Sequence, residues 1–467
     1  MNDSMMKIEN DCKVRIQTLV TNIVLGFALV AISATSFADE SAGGGFFDDI
    51  LTRKKLTGDW GGLRTDLHKH GIDIGLRQSH YGQGVVSGGV RKNGEYGGTM
   101  DYRGHIDGKK LIGTWEGLSI DIHARTRYGQ DVNADAGSLV LQNTGLLMPG
   151  IGNYHGTDVT GLTLTQMFPF FGKPALISGG ILDVLDLVTG FFPNMGYGQE
   201  GFMNANSMVT ALPWIGAVQG LSLYGGWVGT INTEHKMPEN GFLVTGTENE
   251  SSELGSVSDA FDKGVFLAGF HRFFWKLGDK GDKPGYFMVF AGGSTRNQKS
   301  NDPNDIVIVP GQGLVNTNQS KKPWDVALYL YQEFWKAPGN PDRKTTIMLG
   351  GTVGPGNPQF AQFHVFANLE TFGLMKSRPH DRMGVAGWGN LLSDNFKKLV
   401  SPVTDLRDLW GVELYYNIAL NKWLHLSPGL QFIKNENGGQ PEISFVQKKK
   451  NGDDLAVIPG VRLVMDF

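Results

Sequence analysis

From Ile72 onward apolar and polar residues alternate: Ile72, Ile74 and Leu76 are interleaved with Asp73, Gly75 and Arg77, and Leu118, Ile120, Ile122 and Ala124 with Ser119, Asp121, His123 and Arg125. A period of two sends successive side chains to opposite faces of a strand, so each segment has one apolar and one polar face. The pattern returns at 101–107, 221–228, 265–275, 286–291, 326–335, 363–369, 412–420 and 457–467, with weaker candidates around Leu162, Leu176, Val209, Ile347, Val385 and Leu430. Turn-forming clusters separate them, for instance Gly278-Asp279-Lys280-Gly281-Asp282-Lys283-Pro284. About sixteen strands of roughly ten residues, with short turns on one side and long loops on the other, predict an all-β fold: a closed antiparallel transmembrane β-barrel. Phe273-Phe274-Trp275 and Phe334-Trp335 stand near strand ends, where interfacial girdles belong. Pro428 and Pro459 lack an N–H and are expected at strand ends or bulges. The long stretches 130–158, 230–261, 296–322 and 434–454 are expected to fold over or into the mouth.

The segment before the first strand has a different character. Lys7, Lys13 and Arg15 precede the apolar run Ile23–Ile32 and the small-residue site Ser36-Phe37-Ala38, which predicts a signal peptide over 1–38. That run is too short to span about 30 Å of hydrocarbon. Residues 39–71 form a linker with a short helix opening near Asp59, carrying Leu63 and Leu67 on one face and stopping at Gly71. The barrel then occupies 72–467. Cys12, the single cysteine, would leave with the signal, so no disulfide or thiol chemistry is expected.

Composition narrows the function classes. Of 467 residues 66 are glycine, twice the usual share of about 7%, without collagen's period of three. A hydrophobic content of 40% with 10% aromatics excludes a disordered chain. The formal net charge of −4 carries no footprint for nucleic acid. No Gly-x-Ser-x-Gly, His-Glu-x-x-His or phosphate-loop motif occurs, and the histidines have no metal-ligand spacing, so no catalytic residue, metal or cofactor is assigned.

The polar faces carry the candidate chemistry. They keep one parity through three successive strands: Asp73, Arg77, Ser79 and Tyr81; Asp101, Arg103, His105 and Asp107; Asp121, His123, Arg125 and Arg127. In an open barrel that face meets water, and Arg77, Arg103, Arg125 and Arg127, opposed by Glu333, Glu370 and Glu413, form the layout of a charged constriction. The pore lining is accordingly assigned to these four arginines with Asp121, His123 and Glu413. The competing reading is the solvated face of a soluble sheet, where such pairs contribute little. Trp115, Trp214, Trp227, Trp388 and Tyr81 are candidate stacking surfaces for a sugar ring, with girdle or core as the alternative for each.

Three motifs carry a family resemblance. Leu56-Thr57-Gly58-Asp59-Trp60-Gly61-Gly62-Leu63-Arg64, Arg378-Pro379-His380-Asp381-Arg382-Met383-Gly384, and Glu413-Leu414-Tyr415-Tyr416 followed by Leu426-Ser427-Pro428-Gly429-Leu430-Gln431-Phe432-Ile433 resemble segments of the OprB-type carbohydrate-selective porins. The sequence departs from that pattern at His380, Gly429 and Asn435-Glu436. The final strand, closing on Phe467, resembles the recognition signal of outer-membrane proteins. The resemblance implies a barrel of about sixteen strands in the outer membrane, passing sugars such as glucose passively. It also implies contact with outer-membrane lipid and with the barrel assembly machinery through Phe467. A non-selective or anion-preferring porin, an outer-membrane hydrolase and a secreted sugar-binding protein are the alternatives. Nothing marks a subunit interface, so monomer and homo-oligomer both stay open.

Overall fold

The computed structural model describes residues 49–137, 143, 145, 156–192, 199–209, 224–246, 260–310, 313–402, 406–434 and 455–467. The expected signal peptide, the start of the linker and Trp214 lie outside them. The chain enters through a 3-10 turn, Trp60–Gly62, and a helix α1, Leu63–Lys69. Asp59 accepts from the backbone N–H and hydroxyl of Thr65, and Gly71, at φ +81°, ends the helical segment as its position foretold.

The strands follow as β1 (Ile72–Gly84), β2 (Gly94–Asp107), β3 (Leu118–Gly129), β4 (Gly156–Phe170), β5 (Lys173–Ile181), β6 (Tyr224–Asn232), β7 (Met237–Gly246), β8 (Val265–Leu277) and β9 (Lys283–Ser294). After them come β10 (Ile306–Val309), β11 (Gly313–Asn316), β12 (Trp324–Ala337), β13 (Asn340–Val353), β14 (Ala361–Phe372), β15 (Arg382–Leu392), β16 (Leu409–Ala419), β17 (Leu424–Lys434) and β18 (Leu455–Asp466). β10 and β11 make a separate hairpin, and the other 16 close into one antiparallel barrel in which β1 pairs with β18, Arg77 opposite Asp466. After β5 comes a helix of eight residues, labelled α2 (Val184–Phe191).

Closure satisfies every ladder without an edge, the condition for crossing lipid by strands. Alternate residues divide between two environments. Leu164, Ile177, Val228, Phe242, Leu328, Leu349, Val365, Leu414 and Val461 are exposed on the outer face. Phe270, Tyr286, Tyr329, Tyr331, Phe366, Trp388 and Tyr415 are buried within the barrel, packed with Phe192 and Phe202 from the segment after β5. Part of the glycine excess belongs here. A Cβ at Gly350 would overlap the ring of Phe366, and one at Gly411 the ring of Trp388.

Three local expectations are corrected. The 230–261 stretch holds barrel strand β7. The 296–322 stretch stays outside the barrel sheet and forms the β10–β11 hairpin. Val209 is not in a strand: its N–H bonds the carbonyl of Ala205 after a 3-10 turn. Pro428 and Pro459 lie inside β17 and β18. At Pro428 the β16–β17 ladder omits Tyr416 and Asn417 without changing register, and Asn417 Nδ2 donates to Ser427 Oγ at 2.9 Å across the gap. At Pro459 the pairing of β18 with β1 has just stopped.

Candidate functional site

The register carries the alternation of β1, β2 and β3 into one inner face. Asp101 lies opposite Arg77 on one side and Arg125 on the other; Arg103 lies between Gly75 and His123; His105 lies between Asp73 and Asp121. The parity read from the sequence therefore brings the four arginines, Asp121 and His123 onto one wall.

Their partners differ from the expected ones. Arg77 makes a two-point contact with Asp466, at 2.7 and 2.9 Å, and a third with Glu200 at 2.8 Å. Arg125, 1% exposed, donates to Asp101 at 2.6 Å. Arg127 is buried and reaches Asp131 at 3.2 Å. His123 presents Nε2 to Asp101 at 2.8 Å and Nδ1 to Asp186 at 2.9 Å, with Asp183 at 3.3 Å. Gln199 adds a 2.6 Å bond to Asp101. Burial favours the neutral form of Asp183, but the hydrogen bond and charge of His123, with Arg125 behind it, outweigh burial and hold the carboxyl below the ordinary carboxylate range.

The three glutamates expected to face the arginines are engaged elsewhere. Glu333 pairs with Lys344 at 2.7 Å, and Glu370 with Arg382 at 2.6 Å and the Tyr415 hydroxyl at 2.5 Å. Glu413, fully buried, accepts from the backbone N–H groups of Met203 and Asn204, at 2.7 and 3.1 Å, and from Ser207 Oγ at 2.6 Å. It holds chain rather than facing water, because the segment 199–209 lies directly over it. Arg462 on β18 supports the same segment through the Gly201 carbonyl, and Asn368 on β14 through that of Ser207.

Among the described residues, 182–192 and 199–209 after β5 fold into the barrel, a stretch outside the four expected to do so; of those four, 130–158 also sends Asn143 inward onto Gln83 at 3.2 Å, and 435–454 lies outside the described residues. Asp183 caps α2 by accepting from Leu185 N at 2.8 Å, and Asp186 on its first turn ties the helix to His123 on the charged wall. Phe191 and Phe192 at its other end pack on Trp227, Phe270 and Tyr329. The stretch Gln199–Ser207, buried except at Glu200, shows no alternation to mark it. Its nearest signal is Asn204-Ala205-Asn206, where the Asn204 side chain accepts from Asn206 N.

Between α2 and strands β1 to β7 a cavity of ≈ 550 Å³ remains. One wall presents Asp73, Arg103, His105, Asp121 and His123; Thr163, Thr165 and Ser178 add hydroxyls; Asp183 and Asp186 line it from the helix side, and Phe191 and Trp227 close it with rings. Of the stacking candidates only Trp227 reaches this cavity among the described residues. Trp388 and Tyr81 are buried in the interior packing, and Trp115 is exposed in the turn before β3. His123, Asp183 and Asp186 bring ligand atoms within 4.8 Å of one another and could hold a cation, though each already serves the hydrogen-bonded network described above.

The family model of the carbohydrate-selective porins, OprB family, matches residues 91–467. Porin B of Pseudomonas aeruginosa is 24% identical over 484 aligned positions, covering 95% of each chain. The high-pH structure of Pseudomonas putida OprB superposes with a TM-score of 0.71 at 20% identity, covering 89% of this chain and 99% of that one. The low-pH structure of the same protein gives a TM-score of 0.52 at 16% identity over the same coverage.

Proposed function

The chain belongs to the OprB family of carbohydrate-selective porins, barrels of the bacterial outer membrane that act as channels, and from that premise we propose that it passes monosaccharides of the glucose type by passive diffusion along the charged wall of β1–β3. The observation that carries this reading is the make-up of the cavity beside α2: ionic and hydroxyl groups on one side, Trp227 and Phe191 on the other. A pyranose has equatorial hydroxyls that exchange hydrogen bonds with carboxylates, guanidinium and Ser/Thr, and a C–H face that lies against an aromatic ring. Each contact is weak enough to be released, which conduction requires. Arg103, Asp121 and His123 are the proposed lining residues; Arg77, Arg125, Arg127 and Glu413 are proposed to hold the wall and the inward segment in place. Lipid around the apolar outer face, and assembly machinery recognising the strand that ends at Phe467, are the proposed partners.

The test is liposome swelling with purified protein, using glucose, other hexoses, disaccharides and size-matched amino acids. Faster entry of glucose than of amino acids of equal size is the expected result; entry ordered by size alone would favour a non-selective porin.

A further inference from the structure

The four arginines named by the alternation predict a lumen that attracts anions, yet three of them spend their charge on neighbouring carboxylates. Arg77 meets Asp466 and Glu200, Arg125 meets Asp101, and Arg127 meets Asp131. The charged groups left on the water side of the cavity are mostly acids. Asp73 on β1 and Asp121 on β3 stand directly opposite His105 of β2, one on each side, and each side chain is 51% exposed. On the helix side Asp186, 37% exposed, and the buried side chain of Asp183 both lie against His123, while Arg103 is the guanidinium that lines the cavity. The neighbours of the two exposed acids are imidazoles: His68 Nδ1 lies 2.7 Å from Asp73, and His105 Nδ1 2.7 Å from Asp121.

We propose that this cavity selects by charge, admitting neutral and cationic amino sugars in preference to acidic sugars such as uronates, with Asp73 and Asp121 as the residues that set the preference. The inference rests on the sugar-channel reading above and adds the class of sugar. Two features of the cavity make its charge effective. Like charges on β1 and β3, flanking His105 of β2, face the rings of Phe191 and Trp227, and a low-dielectric wall focuses the field into the water between. Screening at physiological salt acts over about 8 Å, so a sugar crossing the cavity stays within reach of the carboxylates. An ammonium in place of one hydroxyl gains their attraction and keeps the ring face for Trp227. A carboxylate on the same ring meets like charge, with Arg103 alone to offset it among the lining guanidinium groups described here.

The experiment measures entry of glucosamine, glucose and glucuronate into liposomes carrying the intact protein at neutral pH, with the Asp73→Asn/Asp121→Asn double variant and the single Asp121→Asn variant beside it. Both positions are half-exposed, and heat-modifiability checks that each barrel is formed. The expected result is glucosamine faster than glucuronate, with the ratio of the two rates falling at least about threefold in the double variant. Glucuronate entering as fast as glucosamine, or a ratio that the double variant leaves unchanged, would overturn the proposal. The two readings fail separately. If glucose holds its advantage over amino acids of equal size while the charge order is absent, the charge assignment falls alone; if the charge order holds while that advantage is absent, the sugar reading falls alone.

Discussion

Arg103 and Arg125 stand on the same inner face, on neighbouring strands, and their surroundings give them different roles. Arg125 is 1% exposed, and its loss would leave Asp101 and His123 buried with a balancing charge removed, which costs about 3–5 kcal/mol when a buried pair is broken. Arg103 lines the cavity. Arg125→Ala is therefore expected to lower the temperature of the heat-modifiability transition markedly, whereas Arg103→Ala should leave that transition near wild type and change sugar entry; electrophoretic mobility after graded heating, run beside liposome swelling, checks both. Equal transitions for the two variants would remove the distinction between wall and lining. At this scale the sequence was legible as far as parity. Which side of the sheet Arg77, Arg103, Arg125 and Arg127 occupy follows from a period of two. Which of them water reaches does not, because Arg77 finds Asp466 and Glu200, 389 and 123 residues away, and only the closed register brings those acids near.

Elements were legible where both faces kept their character and illegible where function or a turn residue broke the period. Met237-Pro238-Glu239-Asn240-Gly241 reads as turn chemistry, yet it opens β7, whose Phe242 faces out and Leu243 in. Gln199–Ser207 has no period at all, since it is held by side chains of β16, β14 and β18 rather than by a ladder. The motif around Arg378, by contrast, explains itself once folded. It forms the turn between β14 and β15 and fixes that turn to the end of β16. Arg378 grips Asp381 at two points of 2.9 Å, Tyr416 donates to Asp381 at 2.7 Å and Ala419 N at 3.0 Å. Burial alone would raise the Asp381 pKa, but these donors hold it below the ordinary carboxylate value. A depressed carboxyl contributes stability that is fully present above its unfolded value, about 3.9, and is lost as pH falls through the folded value. Asp381→Asn is expected to destabilise the barrel by about 1.5–3 kcal/mol at neutral pH, the range for hydrogen bonds to a charged group. Its deficit relative to wild type should shrink as the medium is acidified below the ordinary carboxylate range. Heat-modifiability measured across that pH range decides it, and a deficit independent of pH would mean that the turn is held by something other than this carboxylate.

The whole molecule is built on two unlike contrasts. Across the wall, each strand separates an apolar outer face from an inner one. Across the interior, β1–β3 carry charge while β8, β9, β12, β14 and β15 carry buried rings, and the segment from Asp183 to Ser207 bridges them through Asp186 on one side and Phe191 and Phe192 on the other. The first contrast fixes the barrel in lipid, and it is the stricter of the two. Leu349, opposite Leu330 and Ala367 near the middle of its strand, is exposed on the outer face. An arginine at such a position costs about 2–4 kcal/mol near the bilayer midplane. Closure has its own lock at the seam, where Phe467 N donates to the Leu76 carbonyl, Arg64 reaches the Phe467 carbonyl at 2.9 Å and Leu56 N that of Asp466 at 2.8 Å. The Leu56–Arg64 motif is thereby seen to seat the segment before β1 on the end of β18. Two lesions in assembly should then be separable. Leu349→Arg is expected to lower the amount of heat-modifiable protein in the outer membrane and to lower the thermal stability of what does insert. Deleting Phe467 should lower the inserted amount through recognition of the final strand. The molecules that do insert should keep the wild-type sugar order in liposomes, since the cavity beside α2 lies on other strands. Wild-type yields for both variants would show that neither the outer face nor the terminal strand limits assembly, and normal yield for Leu349→Arg with altered sugar entry would mean that the inner and outer faces of this barrel are exchanged.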